Sequence, residues 1–160
     1  MTGSADEQRL AERVVAGMMD RDAFSRWLGI KVQSVGPRQA TVSMTVRGEM
    51  VNGFGVAHGG IVYSLADSAL AFASNTHGRV TVSIENSITY PMPVRVGDEL
   101  VAEAEEESAT NRLGYYRVIV QRRSSADRST AEIVALFRGT VYKTKTDFFS
   151  RDDAVEAGSG

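Results

Sequence analysis

The chain has no cysteine, only two histidines, no surplus of basic residues and no unbroken apolar run. Without cysteine there can be no disulfide, no thiolate metal ligand and no cysteine nucleophile, and the redox compartment goes unmarked. Lys and Arg number 18 against 20 Asp and Glu, a formal charge of -2, so nothing in the balance would neutralise a phosphate backbone or an anionic bilayer. Neither nucleic acid nor a membrane is expected as a partner. Met50 to Ala66 carries no formal charge, but Asn52, Gly53, Gly55, His58, Gly59 and Gly60 interrupt it, which excludes a membrane span. Met1 to Arg9 is polar and mixed in charge, unlike a secretory signal, so the expected location is cytoplasmic. The histidines, His58 and His77, stand nineteen residues apart with no His-Glu-x-x-His pair, so no metal site and no cofactor are expected.

What remains is a 160-residue chain, 42% apolar, enough for one domain with a real core. Leu10, Val14 and Met18 recur at helical spacing between Glu7 and Arg21, an amphipathic helix. A short helix from Asp22 to Leu28 stops at Gly29, with Phe24 and Trp27 assigned to the core. From Ile30 the period becomes two. Ile30, Val32 and Val35, the turn Gly36-Pro37-Arg38, then Ala40, Val42, Met44 and Val46 describe a hairpin. Val80, Val82, Ile84, Ile88 and Tyr90 share one parity of a long third strand, and Leu100 to Glu107, Tyr115 to Gln121 and Ile133 to Lys143 complete six. The domain is expected to span residues 1–143, and 144–160 reads as a flexible tail.

Gly59 to Asn75 is a helix that is apolar nearly all round, with Val62, Leu65, Ala66, Ala69, Phe72 and Ala73 on its main face and Leu70 and Ala71 off it. Such a helix has to be buried, and only the antiparallel sheet offers the surface to bury it. The fold class is therefore α+β, a six-stranded antiparallel sheet wrapped around one long central helix.

Chemistry concentrates where this helix begins. Gly59 and Gly60 open it, so unpaired backbone N–H groups and the positive end of the helix dipole face an incoming carbonyl oxygen. Asp67 is the only charged residue from Val51 to Thr76, about two turns in, beside Tyr63, Ser64 and Ser68. A poorly solvated carboxylate keeps a raised pKa and remains a competent base if water or substrate can reach it. Taken by itself, an aspartate in an apolar helix is as a rule a hydrogen-bonded structural group. Asn52 and His58 sit on the preceding Gly-rich loop and can orient water, carboxylate or helix start, and a histidine directly before a helix commonly caps it. The glycines do not make a dinucleotide fingerprint, because no acidic residue follows about 20 positions on. Ser64 and Ser68 lie within the helix and lack a Gly-x-Ser-x-Gly elbow.

Asn52, His58-Gly59-Gly60 and an acid eight positions after the first glycine, Asp67, resemble the hotdog-fold acyl-CoA thioesterases of the phenylacetate-degradation type. The likeness extends over roughly residues 20–143, through Leu28-Gly29-Ile30, Tyr90-Pro91, Gly97-Asp98 and Ala135-Leu136-Phe137-Arg138-Gly139-Thr140. It implies a homodimer or tetramer with active sites between protomers, an acyl-CoA substrate, and coenzyme A as part of that substrate. It further implies that the Gly59 N–H polarises the thioester carbonyl, that Asp67 activates water or attacks directly, and that Asn52 of the neighbouring protomer helps to position the reactants. Ser68, Ser83 and Ile84 would border the acyl group beside Gly60, while Arg112, with Arg122 and Arg123 as further choices, would meet a coenzyme A phosphate. Related aryl-CoA thioesterases use Glu in place of Asp and a Thr one turn later, where this chain has Asp67 and Ala71, which leaves the acyl preference open between aromatic and medium-chain groups. The rival function is a non-catalytic acyl-CoA-binding or regulatory module; a hotdog dehydratase fits less well, since the spacing of His58 and Asp67 does not resemble theirs.

Overall fold

A computed structural model describes residues 4–123 and 130–149. Helix α1 (Ala5–Arg21) begins two residues before the spacing of its apolar residues shows it, because Ser4 and Glu7 close a reciprocal capping box. Asp22 then caps α2 (Ala23–Leu28) by accepting from Ser25 N–H at 2.9 Å, and Gly29 ends it at φ 76°, a conformation that needs no Cβ.

Six strands follow: β1 (Lys31–Gly36), β2 (Gln39–Thr45), β3 (Arg79–Thr89), β4 (Glu99–Ala109), β5 (Leu113–Arg123) and β6 (Ala131–Asp147). They pair antiparallel in the order β1-β2-β4-β5-β6-β3, which leaves β1 and β3 at the edges. Between β2 and β3 runs α3 (Gly59–Asn75), packed against β2, β3, β4, β5 and β6. Val62, Leu65, Ala66, Ala69, Phe72 and Ala73 are buried as their spacing predicts. This is the hotdog arrangement expected from the sequence. At about 25 cal/mol per Å² of apolar surface, burying such a helix stabilises the fold well beyond any intrinsic helix propensity.

Three expectations change in detail. Phe24 and Trp27 are not core: they are 54% and 53% exposed and stack on one another at 6.0 Å. In a helix of only two turns the inward positions go to Ser25 and Leu28, three residues apart, which turns Phe24 and Trp27 outward. Leu70, off the main face of α3, is fully buried too, as a helix apolar nearly all round requires, with β6 covering that side. The single parity of β3 also fails. A register shift between Ser83 and Glu85 reverses it, so Thr81 is buried and Val82 and Ile84 are exposed before the shift, whereas Asn86 and Ile88 turn inward after it. Finally, β6 continues to Asp147, past the boundary at 143, and Phe148 N–H donates to Gly78 O at 2.7 Å. Residues 150–160 of the expected tail lie outside the described residues.

Candidate active site

The loop before α3 is held by its own backbone. Asn52 N–H donates to Val56 O at 2.8 Å, Gly55 N–H to Asn52 O at 3.0 Å, and Asn52 Oδ1 accepts from Phe54 N–H at 2.9 Å. His58, extended at φ -60° and ψ 134°, is the N-cap: its Nδ1 accepts from Gly60 N–H at 2.9 Å, so the neutral ring carries its proton on Nε2. Ile61 N–H turns back to His58 O at 2.9 Å. Among the described residues the Gly59 N–H finds no acceptor, and it therefore stays available at the positive end of a 17-residue helix. Gly59 O accepts from the Tyr90 hydroxyl at 2.8 Å, and a Cβ at Gly59 would stand 3.3 Å from that hydroxyl. An apolar pocket of about 330 Å³ opens here, lined by Val56, Gly59, Val62, Tyr90, Met92 and Val94.

Two turns further along α3, Asp67 is half-buried, and burial pushes its carboxyl above the usual carboxylate range. The opposing influence is a hydrogen bond from Asn86 Nδ2 to Asp67 Oδ1 at 3.1 Å. The same nitrogen donates to the Tyr63 hydroxyl at 2.9 Å, and Asn86 Oδ1 accepts from Ser83 Oγ at 2.8 Å. The Tyr63 ring packs edge-on against Phe137, centroids 5.4 Å apart. Asp67, Tyr63, Asn86 and Ser83 thus form one connected polar group at the β3 side of the helix.

Other expected residues fall elsewhere. The Ser68 hydroxyl lies 3.0 Å from Ser25 Oγ, which donates to Asp22 Oδ2 at 2.5 Å, so Ser68 ties α3 to α2. Ile84 points outward at 57% exposure. Asn52 Oδ1 is turned to its own loop, on Phe54 N–H, and not to the Asp67 of the same chain. Arg112 stands exposed on the β4–β5 turn, where its carbonyl accepts from Lys143 N–H at 2.8 Å. Arg123 is exposed, but Arg122 is committed to Pro93 O at 2.6 Å and Glu132 Oε2 at 2.6 Å, which leaves it a poor partner for a phosphate. His77 follows the far end of α3 from His58, its pKa lowered chiefly by burial and then by Lys143 and Arg79. A larger cavity of about 420 Å³ lies at that end, among Arg38, Thr76, His77 and Lys143, and contains neither Gly59 nor Asp67.

Sequence reasoning missed Asn86. The signal was present: it is the one polar residue on the parity shared by Val82, Ile84, Ile88 and Tyr90, inside the run Glu85-Asn86-Ser87 that interrupts the alternation. A break of that kind marks a bulge, and bulges gather beside functional sites.

Residues 54–127 match the family described as the thioesterase superfamily. The chain is 34% identical to the acyl-coenzyme A thioesterase PaaI of Escherichia coli strain K12 over 126 residues, 79% of this chain and 86% of that protein. The solved structure of the E. coli PaaI protein from the phenylacetic acid degradation operon superposes with a TM-score of 0.81 over 88% of this chain and 97% of that one, at 31% identity. A structure of the phenylacetic acid degradation protein PaaI from Thermus thermophilus superposes with a TM-score of 0.70 at 38% identity, covering 77% and 100% of the two chains. Sequence identity over most of both chains, a shared hotdog fold and a carboxylate on the helix that starts at His58-Gly59-Gly60 agree, and the chain belongs to the thioesterase superfamily.

Proposed function

We propose that the protein hydrolyses acyl-coenzyme A thioesters to a free acid and coenzyme A. The observation that carries this reading is Asp67, a half-buried carboxylate with no cation among the groups that shift it, on the helix whose first N–H is left open. Structural carboxylates at such depth are normally paired; one held by an amide and a burial-raised pKa is suited to take a proton from water. In the proposed reaction the Gly59 N–H receives the thioester oxygen, water attacks the carbonyl carbon as Asp67 accepts its proton, and the C–S bond breaks to release the thiol. Asp67 attacking directly would give a mixed anhydride that water then hydrolyses. No group in either route requires a cofactor.

Gly59 and Asp67 are eight residues apart, about 12 Å along the helix axis, more than one carbonyl group can bridge while touching both. Two protomers solve this if the carboxylate of one meets the amide of the other. The edge strand β3 supports such a homodimer: it is 11 residues long, exposes Val82 and Ile84, and carries Asn86 on the face towards Asp67. Asn52 then belongs to the amide side of the shared site. Pairs of such dimers would give a tetramer. The apolar pocket at Gly59 suits an aromatic or medium-chain acyl group, and the phenylacetic acid degradation operon of the E. coli relative favours the aromatic one.

The test is thiol release from a panel of aryl and straight-chain acyl-CoAs by the parent protein and by Asp67→Asn; the absence of cysteine keeps the protein itself silent in a thiol assay. The parent turns over at least one thioester, and the variant loses about 100- to 10,000-fold in kcat. Binding without turnover by both would instead mark a non-catalytic acyl-CoA-binding module.

A further inference from the structure

Gly59, Tyr63 and Asp67 succeed one another at intervals of four and so lie along one stripe of α3. Asn86, reaching in from β3, touches both polar side chains of that stripe. A primary amide has two N–H donors, and here one goes to the Tyr63 hydroxyl oxygen and the other to Asp67 Oδ1. Its carbonyl oxygen is taken by the Ser83 hydroxyl. The direction of the amide is thereby fixed, since the flipped arrangement would set a carbonyl oxygen against a carboxylate. Its surroundings are built for it: Gly139 lies opposite on β6 without a side chain to displace it, and Phe137 holds the Tyr63 ring.

Resting on the thioesterase reading above, we propose that Asn86 is the positioning residue of the site, holding Asp67 and Tyr63 so that Asp67 Oδ2 and the Tyr63 O–H are the two groups presented to the thioester. Tyr63 accepts from Asn86, and its own proton has no acceptor among the described residues, so it is a donor ready for a bound carbonyl or acyl oxygen. The groups that face Asp67 are Tyr63 from its own helix and Asn86 from β3, and neither is charged. Burial favours the neutral acid and the Asn86 N–H favours the carboxylate, so Asn86 opposes the rise that burial causes.

The deciding experiment compares the parent with Asn86→Leu and Tyr63→Phe in two readouts, the pH dependence of kcat/KM and the ¹³C titration of the Asp67 carboxyl in labelled protein. In Asn86→Leu the acidic limb and the carboxyl titration both move to higher pH, and kcat/KM at neutral pH falls about tenfold or more. Tyr63→Phe loses about tenfold in kcat/KM, with a smaller displacement of the limb. A folded Asn86→Leu protein whose limb and titration stay at the parent's pH overturns the role of Asn86, and undiminished turnover in Tyr63→Phe overturns that of Tyr63. Should the leucine variant not fold, Asn86→Ser gives the same readings with less bulk. A parent without thioesterase activity would sink the functional reading, while the ¹³C titration would still decide whether Asn86 governs the carboxylate.

Discussion

Asn86 and Gly139 stand opposite one another in the β3–β6 ladder, and the space a Cβ would need at Gly139 is already filled by Asn86 Oδ1 at 2.8 Å and Leu70 Cδ2 at 2.5 Å. The missing side chain lets the amide lie between strand and helix. Gly139→Ala is therefore expected to cost about 1–3 kcal/mol through overpacking and to misplace Asn86. Thermal unfolding and the pH profile of kcat/KM check it: the melting temperature falls and the acidic limb moves up together.

Asp67 should weaken the fold that uses it. Its folded pKa lies above the ordinary value of 3.8, so the folded state prefers the protonated form. The stability this contributes is full below that value and is lost as pH rises through the folded pKa. Asp67→Asn, which cannot ionise, is expected to melt higher than the parent at neutral pH, with the difference closing below pH 3.8. Scanning calorimetry across that range reads it, and a variant less stable at neutral pH would contradict it.

His58 separates capping from proton transfer. Its Nδ1 is occupied by Gly60 N–H, so His58→Ala should cost about 1 kcal/mol in stability, as lost caps do, and less than about tenfold in kcat. A general acid or base at this position would cost about 100-fold or more. Steady-state kinetics beside denaturant unfolding distinguish the two.

A site shared between protomers can be rebuilt from two damaged halves. Asn52→Ala and Asp67→Asn proteins, each nearly inactive, are expected to regain up to about one quarter of parental turnover per protomer after exchange, the share set by random pairing with one of two sites intact. Native mass spectrometry verifies the mixed dimers, and verified mixed dimers without activity would show that each site takes both residues from one protomer.

Much of this was legible in the sequence because it depended on periodicity and on exceptions to it. The buried face of α3 follows from spacing, and Asp67 shows itself as a lone charge in a greasy helix. Phe24 and Trp27 were misplaced because a two-turn helix has too few positions for a period to say which side faces in. Asn86 depended on the register shift in β3, set by pairing between residues more than fifty positions apart. Tyr90 was read as a strand residue, and nothing local tells that its hydroxyl would reach back to Gly59.

The strand order has a consequence for synthesis. Asn86 is made soon after Asp67, yet among the described strands β3 has only β6 as its ladder partner, and the first residue of β6 is Ala131. During translation the segment carrying Asn86 must wait, its ladder unmatched, until residues 131–147 have left the ribosome tunnel. At about 5–20 residues per second that is an interval of several seconds, in which an apolar ribbon containing Val82 and Ile84 is open to chaperones or to a neighbouring nascent chain.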